Sequence, residues 1–238
     1  MTPVMTVSEA VASRRSVRRF LDRSVDEALL RDILERAARA PSGGNIQPWH
    51  IRVVTGDRLA EFNALMARRV AEAPQGEGAE YDVYPQRLAP AYQQRTFEVG
   101  LLLYERMGIP REDKAGRARW FARNFAFFGA PVGLFCHVDR DHGPPQWADL
   151  GMYLQTVMLL LREAGLDSCP QECWALYHRT VDGFLGVPPE QMLFAGMAIG
   201  WADPTAPENQ VETPRAAVSE ILEFNPASAG PSGAKEPA

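Results

Sequence analysis

The sequence predicts an α+β domain in which helix dominates and a small sheet lies between helical layers. Three observations carry this reading. Apolar residues recur at helical spacing over much of the chain, as at Leu29, Leu30, Ile33, Leu34, Ala37 and Ala38. Only three stretches, 49–54, 131–138 and 191–201, read clearly as strands. Helices and strands interleave without internal repeat or Pro/Gly linker, which favours one layered α+β or α/β domain over two units.

A first helix is expected over 8–13, with Thr6 or Ser8 as its cap. It runs into Arg14-Arg15-Ser16-Val17-Arg18-Arg19-Phe20, which packs four arginines into six residues. The planar guanidinium fork suits phosphate oxygens and carbonyl edges; a solvated charged turn is the bland alternative. Ser24 precedes Val25-Asp26-Glu27 as a cap with acidic residues in the first turn, and this second helix extends to about Arg39.

Pro41-Ser42-Gly43-Gly44-Asn45-Ile46-Gln47-Pro48-Trp49 follows, with no hydrophobic periodicity. Pro41 ends the helix. Gly43 and Gly44 can take positive φ and admit a flat ligand close to the backbone. Ser42, Asn45 and Gln47 offer neutral donors and acceptors. Taken alone, the stretch is also what an ordinary helix-to-strand loop looks like.

After the strand over 49–54, a helix is expected over 57–72, then an irregular stretch, 73–89, broken by Pro74, Gly76, Gly78 and Pro85. A loop of that length is more often functional or mobile than a plain connection. Tyr81, Tyr84 and Tyr92 could cover a pocket or anchor the packing. Two helices are expected over 91–107 and 112–127, the second dense in aromatic residues that read first as core or interface. A buried strand over 131–138 and a helix over 146–164, apolar nearly all round, point to the centre of the protein or a subunit interface. Residues 166–173 read as irregular, followed by a helix to about Leu185 whose first amides are natural donors to an electron-rich atom. The last strand, 191–201, carries Gly196 and Gly200 where close backbone approach is possible. Residues 204–214 form a connection and Arg215 opens a short segment ending near Phe224. Residues 225–238, nearly free of apolar bulk, are expected to be disordered.

The net charge of −5 and the lack of a basic block argue against a nucleic-acid partner. No apolar run approaches membrane-spanning length, and the start has neither part of a signal peptide. Cys136, Cys169 and Cys173 are an odd number without zinc spacing, which suits reduced thiols and a cytoplasmic location. The four histidines are scattered and no metal site is expected. Dinucleotide, Walker and nucleophile-elbow signatures are absent. What remains is an arginine patch, a Ser/Gly/Asn/Gln loop, Pro170-Gln171-Glu172 at a helix start, and Arg215. These suit a ligand with a phosphate at one end and a heteroaromatic carbonyl and amide edge at the other.

The arginine segment and the Pro41–Trp49 loop together resemble the paired N-terminal motifs of the FMN-dependent nitroreductase superfamily. Phe127-Phe128-Gly129-Ala130-Pro131 and Asp149-Leu150-Gly151-Met152 are similar to its nitrobenzoate reductase branch. The resemblance implies a three-layer fold over 6–224, with a small mixed or antiparallel sheet, in an intertwined homodimer with two shared sites. It implies that Arg14, Arg15 and Ser16 hold the FMN phosphate and ribityl chain, with Arg215 returning to the phosphate. Arg18 would approach flavin N1 and the C2 carbonyl, where a cation stabilises the reduced ring. Pro41, Ser42, Gly43, Asn45 and Gln47 would serve the flavin of the other subunit. Pro170, Gln171 and Glu172 would lie along the ring, with a backbone amide near N5, and Tyr81 and Tyr84 would form a substrate lid. The basic residue that often precedes the late arginine in this family is replaced by Glu212-Thr213-Pro214.

The implied activity is ping-pong reduction of nitroaromatic or quinone-like compounds, with hydride passing from NADH or NADPH through tightly bound, non-covalent FMN. No catalytic side chain is implied. Two other readings remain open: a reductive dehalogenase of the iodotyrosine deiodinase type, for which Glu80, Tyr81 and Tyr84 occupy the equivalent irregular stretch, and a flavin-binding protein without turnover.

Overall fold

The computed structural model describes residues 5–224. Its helices are α1 (Val7–Ser13), α2 (Glu27–Ala37), α3 (Gly56–Glu72), α4 (Pro90–Arg106), α5 (Lys114–Ala122), α6 (Pro144–Glu163), α7 (His178–Leu185) and α8 (Val218–Ile221). The strands are β1 (His50–Thr55), β2 (Val132–Asp139), β3 (Asp167–Gln171) and β4 (Gln191–Gly200). The disorder expected over 225–238 lies outside the described residues.

The sheet is antiparallel throughout, in the order β1-β2-β4-β3. Strand β3 corrects the expectation of an irregular stretch there. It has no apolar alternation and contains Pro170, which an edge strand tolerates because the missing amide need not serve a second neighbour. Both faces of the central strands are covered, so they read as apolar runs despite being antiparallel. On one face, Val132, Leu134, Cys136, Ala195, Met197 and Ile199 pack on α2 and α6. On the other, Phe135, Leu193 and Ala198 meet Phe62 and Met66 of α3, together with Phe127, Trp174 and Val181. The result is three layers, and each fully buried aromatic or aliphatic side chain contributes roughly 1.5–3 kcal/mol.

Three local expectations change. Asp26, not Ser24, caps α2: its carboxylate accepts from the Ala28 amide at 2.8 Å, while the Ser24 carbonyl accepts from Trp201 Nε1 at 3.2 Å. The helix expected over 112–127 stops at Ala122 and gives way to a 3-10 stretch, Arg123–Gly129, in which Phe127 and Phe128 take φ of 48° and 55°. The core accounts for that break. Phe127 is fully buried and packs at 4.7 Å from Trp174 and 5.4 Å from Phe135, beside Gly133, where any Cβ would collide with its ring. In the 41–49 loop, positive φ falls on Gly44, Asn45 (59°) and Gln47 (53°), and not on Gly43.

Candidate active site

The arginine segment is extended backbone laid against the open edge of β3. Ser16 pairs in parallel with Ser168, the Val17 amide donates to the Ser168 carbonyl at 3.0 Å, and Phe20 bridges Ala202. Val17 and Phe20 are buried and hold the ribbon down. Arg14, Arg15, Ser16 and Arg18 then line one cavity of about 390 Å³ with Arg215, Glu212 and Thr213. Residues at opposite ends of the chain are therefore brought together. Among the described residues, no carboxylate lies within ion-pair distance of any of these four guanidiniums. Arg215 donates only to Thr213 and the Pro214 carbonyl.

The backbone of this segment is clamped by residues that sequence reasoning did not single out. Asn209, 5% exposed, accepts from the Arg18 amide at 2.8 Å through Oδ1 and donates from Nδ2 to the carbonyls of Arg19 (2.8 Å) and Asp203 (2.9 Å). Arg123 donates to the Arg18 carbonyl at 2.9 Å and to Glu208 at 2.8 Å. Both Glu208 and Asn209 sit in an irregular polar stretch whose spacing carries no signal; only the fold reveals that they are buried.

Parallel pairing of Ser16 with Ser168 sets Arg18 level with Pro170, further along β3. There a second cavity, of about 510 Å³, is lined by Pro170, Gln171, Glu172, Cys173, Asn124, Phe121, Val83, Tyr84 and Leu176. The Gln171 side chain is committed to structure. Its Nε2 donates to the Asn124 carbonyl at 2.8 Å and its Oε1 accepts from Trp174 Nε1 at 3.2 Å. Burial pushes the Cys173 thiol up to about 12, so this cavity residue is no thiolate nucleophile.

Pro41, Ser42, Gly43, Asn45 and Gln47 line neither cavity. The loop is anchored by the Gly43 amide on Asp149 of α6 and by Ser42 Oγ accepting from the Gln47 amide at 3.0 Å. Asn45 and Gln47 are otherwise exposed.

The 73–89 stretch divides in two. Its first half is stapled down: Glu77 accepts from Arg69 at 2.7 Å and from the Thr180 amide at 3.1 Å, and Glu80 meets Arg140 at 2.7 Å and His178 at 3.0 Å. Tyr81 belongs to that half. Its hydroxyl donates to the Phe194 carbonyl and its ring packs on Trp147, so it stands away from the cavity wall that the lid expectation gave it. Tyr84 is 64% exposed and does line the cavity.

Three of the four histidines that look scattered in sequence acquire an acidic partner: His50 with Asp139, His137 with Asp182, and His178 with Glu80. Glu80, His178 and Asp182 converge to within 4.8 Å, as do Asp139, Asp141 and His142. Arg140 already neutralises Glu80 in the first group.

A small antiparallel sheet between two helical layers, with an arginine-lined cavity and an apolar cavity along one edge strand, defines a binder of flat ligands with an anionic tail. The Nitroreductase family model matches residues 11–201, and the chain belongs to that family. It is 37% identical to the nitrobenzene nitroreductase of Ectopseudomonas oleovorans over 92% of this chain and 96% of that protein. It is 38% identical to the 4-nitrobenzoate reductase of Pseudomonas putida over 86% and 89% of the two chains. The crystal structure of the FMN and NADPH-dependent nitroreductase NfnB from Sphigopyxis sp. strain HMH matches at a TM-score of 0.90 and 52% identity, covering 94% of this chain and 100% of that one.

Proposed function

We propose that the protein is an FMN-dependent NAD(P)H oxidoreductase that reduces nitroaromatic or quinone-like compounds. The observation that carries this is the cavity where Arg14, Arg15, Arg18 and Arg215 converge with no ion-pair partner among the described residues. Four guanidiniums held together repel one another, and a dianionic phosphate offsets that cost through charge-assisted hydrogen bonds. The adjoining cavity is apolar enough for a ring system, so the residues present fit FMN. Bound there, FMN supplies the hydride-transfer chemistry at its N5.

In this reading Arg14, Arg15, Ser16 and Arg215 bind the phosphate and ribityl chain. Arg18, level with Pro170, places positive charge at the N1 and C2-carbonyl edge. Pro170, Gln171 and Glu172 present backbone along the ring, and Tyr84 flanks the space for NADH or NADPH and then for the acceptor. The loop residues Ser42, Gly43, Asn45 and Gln47 serve the partner subunit's flavin, so the working unit is a homodimer. Unburied apolar side chains support that: α4 has no buried residue, and Phe97, Leu101, Ile221 and Phe224 are all exposed. No helix among the described residues is long and apolar enough to cross a membrane. Three free cysteines suit a cytoplasmic setting, and residues 6–224 are the FMN-binding unit.

A dehalogenase of the iodotyrosine type would recruit acidic and tyrosine groups from the 73–89 loop. Glu80 and Tyr81 are engaged inside the protein instead, which favours the nitroreductase reading. The test is the double variant Arg14→Ala with Arg15→Ala. It should purify colourless and regain little FMN on titration; full flavin content would refute the phosphate assignment. Stopped-flow mixing of the yellow wild type with NADH and with NADPH then tests turnover, since flavin that stays oxidised with both donors marks a binding protein only.

A further inference from the structure

We infer that Arg123, held by Glu208, is a positioning residue for the flavin site, setting where Arg18 stands rather than touching the cofactor itself. The inference rests on the FMN reading above and assigns a role to residues that line neither cavity. Arg18 is fixed on both sides of its backbone: its amide meets Asn209 at 2.8 Å and its carbonyl receives Arg123 Nη2 at 2.9 Å. The other terminal nitrogen of Arg123 reaches Glu208 at 2.8 Å, and Glu208 also meets Arg19 Nε at 3.4 Å. Glu208 is 4% exposed. Burial alone would raise its carboxyl, but the Arg123 hydrogen bond and the charges of Arg123 and Arg19 outweigh that and hold it below its usual range. The Arg123 guanidinium lies 4.5 Å from the Trp120 ring centroid, which fixes its plane.

The division of labour follows. Glu208 pairs with Arg123 and, more distantly, with Arg19, while Arg14, Arg15, Arg18 and Arg215 remain available to an anion. Arg123 reaches the carboxylate and the main-chain carbonyl with two separate nitrogens of one planar fork; a lysine offers a single nitrogen and does not reproduce that spacing. A shift of the Arg18 backbone moves its charge relative to the flavin edge, which alters the preference for the reduced, anionic ring over the oxidised one.

The experiment compares three variants by FMN titration of the apoprotein and by the midpoint potential of the holoprotein. Arg18→Gln is the reference. Arg123→Lys keeps the charge and loses the bridge. Arg123→Met with Glu208→Leu removes the pair without stranding a buried charge, so it reports on the proposal even where the lysine variant folds poorly. We expect Arg18→Gln to weaken reduced FMN about tenfold more than oxidised FMN, a fall of about 30 mV in potential. Both Arg123 variants should move the potential in the same direction by at least about half as much. A shift in Arg18→Gln with wild-type potentials in both Arg123 variants overturns the positioning role and leaves the Arg18 assignment standing. Wild-type potential and affinity in Arg18→Gln itself overturns both. A variant that melts earlier yet keeps its potential shows a merely structural pair, and also counts against the proposal.

Discussion

The Gly43 amide points at the Asp149 carboxylate, 3.2 and 3.3 Å from its two oxygens, across 106 residues of sequence. This is the tie between the 41–49 loop and the long helix α6, which shares a layer with α2. Asp149 is 5% exposed, so its charge is largely withdrawn from water. Asp149→Ala should cost roughly 1.5–3 kcal/mol, the range for a hydrogen bond to a charged group, read as a shift in urea midpoint. If the loop serves the partner's flavin, FMN content should fall in parallel. An unchanged midpoint would show that the tie is incidental.

Tyr81 and Tyr84, three residues apart, should separate cleanly. Tyr81→Phe removes a part-buried hydrogen bond to the Phe194 carbonyl and should lower stability by about 1 kcal/mol with acceptor KM nearly unchanged. Tyr84→Ala removes an exposed ring from the cavity wall. It should raise acceptor KM several-fold while stability stays within about 0.5 kcal/mol of wild type. Steady-state kinetics and urea melts on the same preparations decide it, and a reversed pattern would place the wrong tyrosine over the site.

Gly196→Ala should destabilise by about 1–3 kcal/mol, the usual cost of overpacking. A Cβ there would overlap the indole of Trp174, which is fully buried against β4. Because Trp174 Nε1 also holds Gln171, the damage should spread to β3, the strand proposed to face the flavin, seen as altered flavin fluorescence. A wild-type melting curve would mean the indole can move aside freely.

Stability should fall on mild acidification. His137 is fully buried, and burial lowers its pKa below the ordinary 6.5 despite the opposing effect of its hydrogen bond to Asp182. The unfolded chain therefore takes up a proton below pH of about 6.5 that the folded chain refuses, and stability drops as pH falls through that window. The urea midpoint should decline between about pH 7.5 and 5.5, and less steeply in His137→Gln. Equal slopes would assign the acid sensitivity elsewhere.

Helix periodicity and the apolar runs of β2 and β4 made the layered fold legible from sequence, because burial on both faces writes itself as composition. Strand β3 was not legible. Its residues, Asp167 to Gln171, gain strand geometry from the partners on either side and not from their own pattern. The arginines could be read, since four guanidiniums in six residues are unusual chemistry. Their clamp could not: Asn209 and Glu208 look like any polar loop until the chain places them under Arg18. Tyr81 and Tyr84 were indistinguishable for the same reason, as one residue of a loop turns inward and its near neighbour does not.

The pairing of the arginine ribbon with the far end of the chain also fixes when the site can exist. Arg18 and Asn209 are 191 residues apart, so at ~5–20 residues per second the clamp leaves the ribosome about 10–40 s after the cluster it holds. Through most of that interval the nascent chain lacks the β3 edge, and through all of it Asn209, to order its arginines. The cavity that Arg14, Arg15 and Arg18 share with Arg215 is therefore complete only after nearly the whole chain has been made, so a ligand held there is taken up at or after chain release.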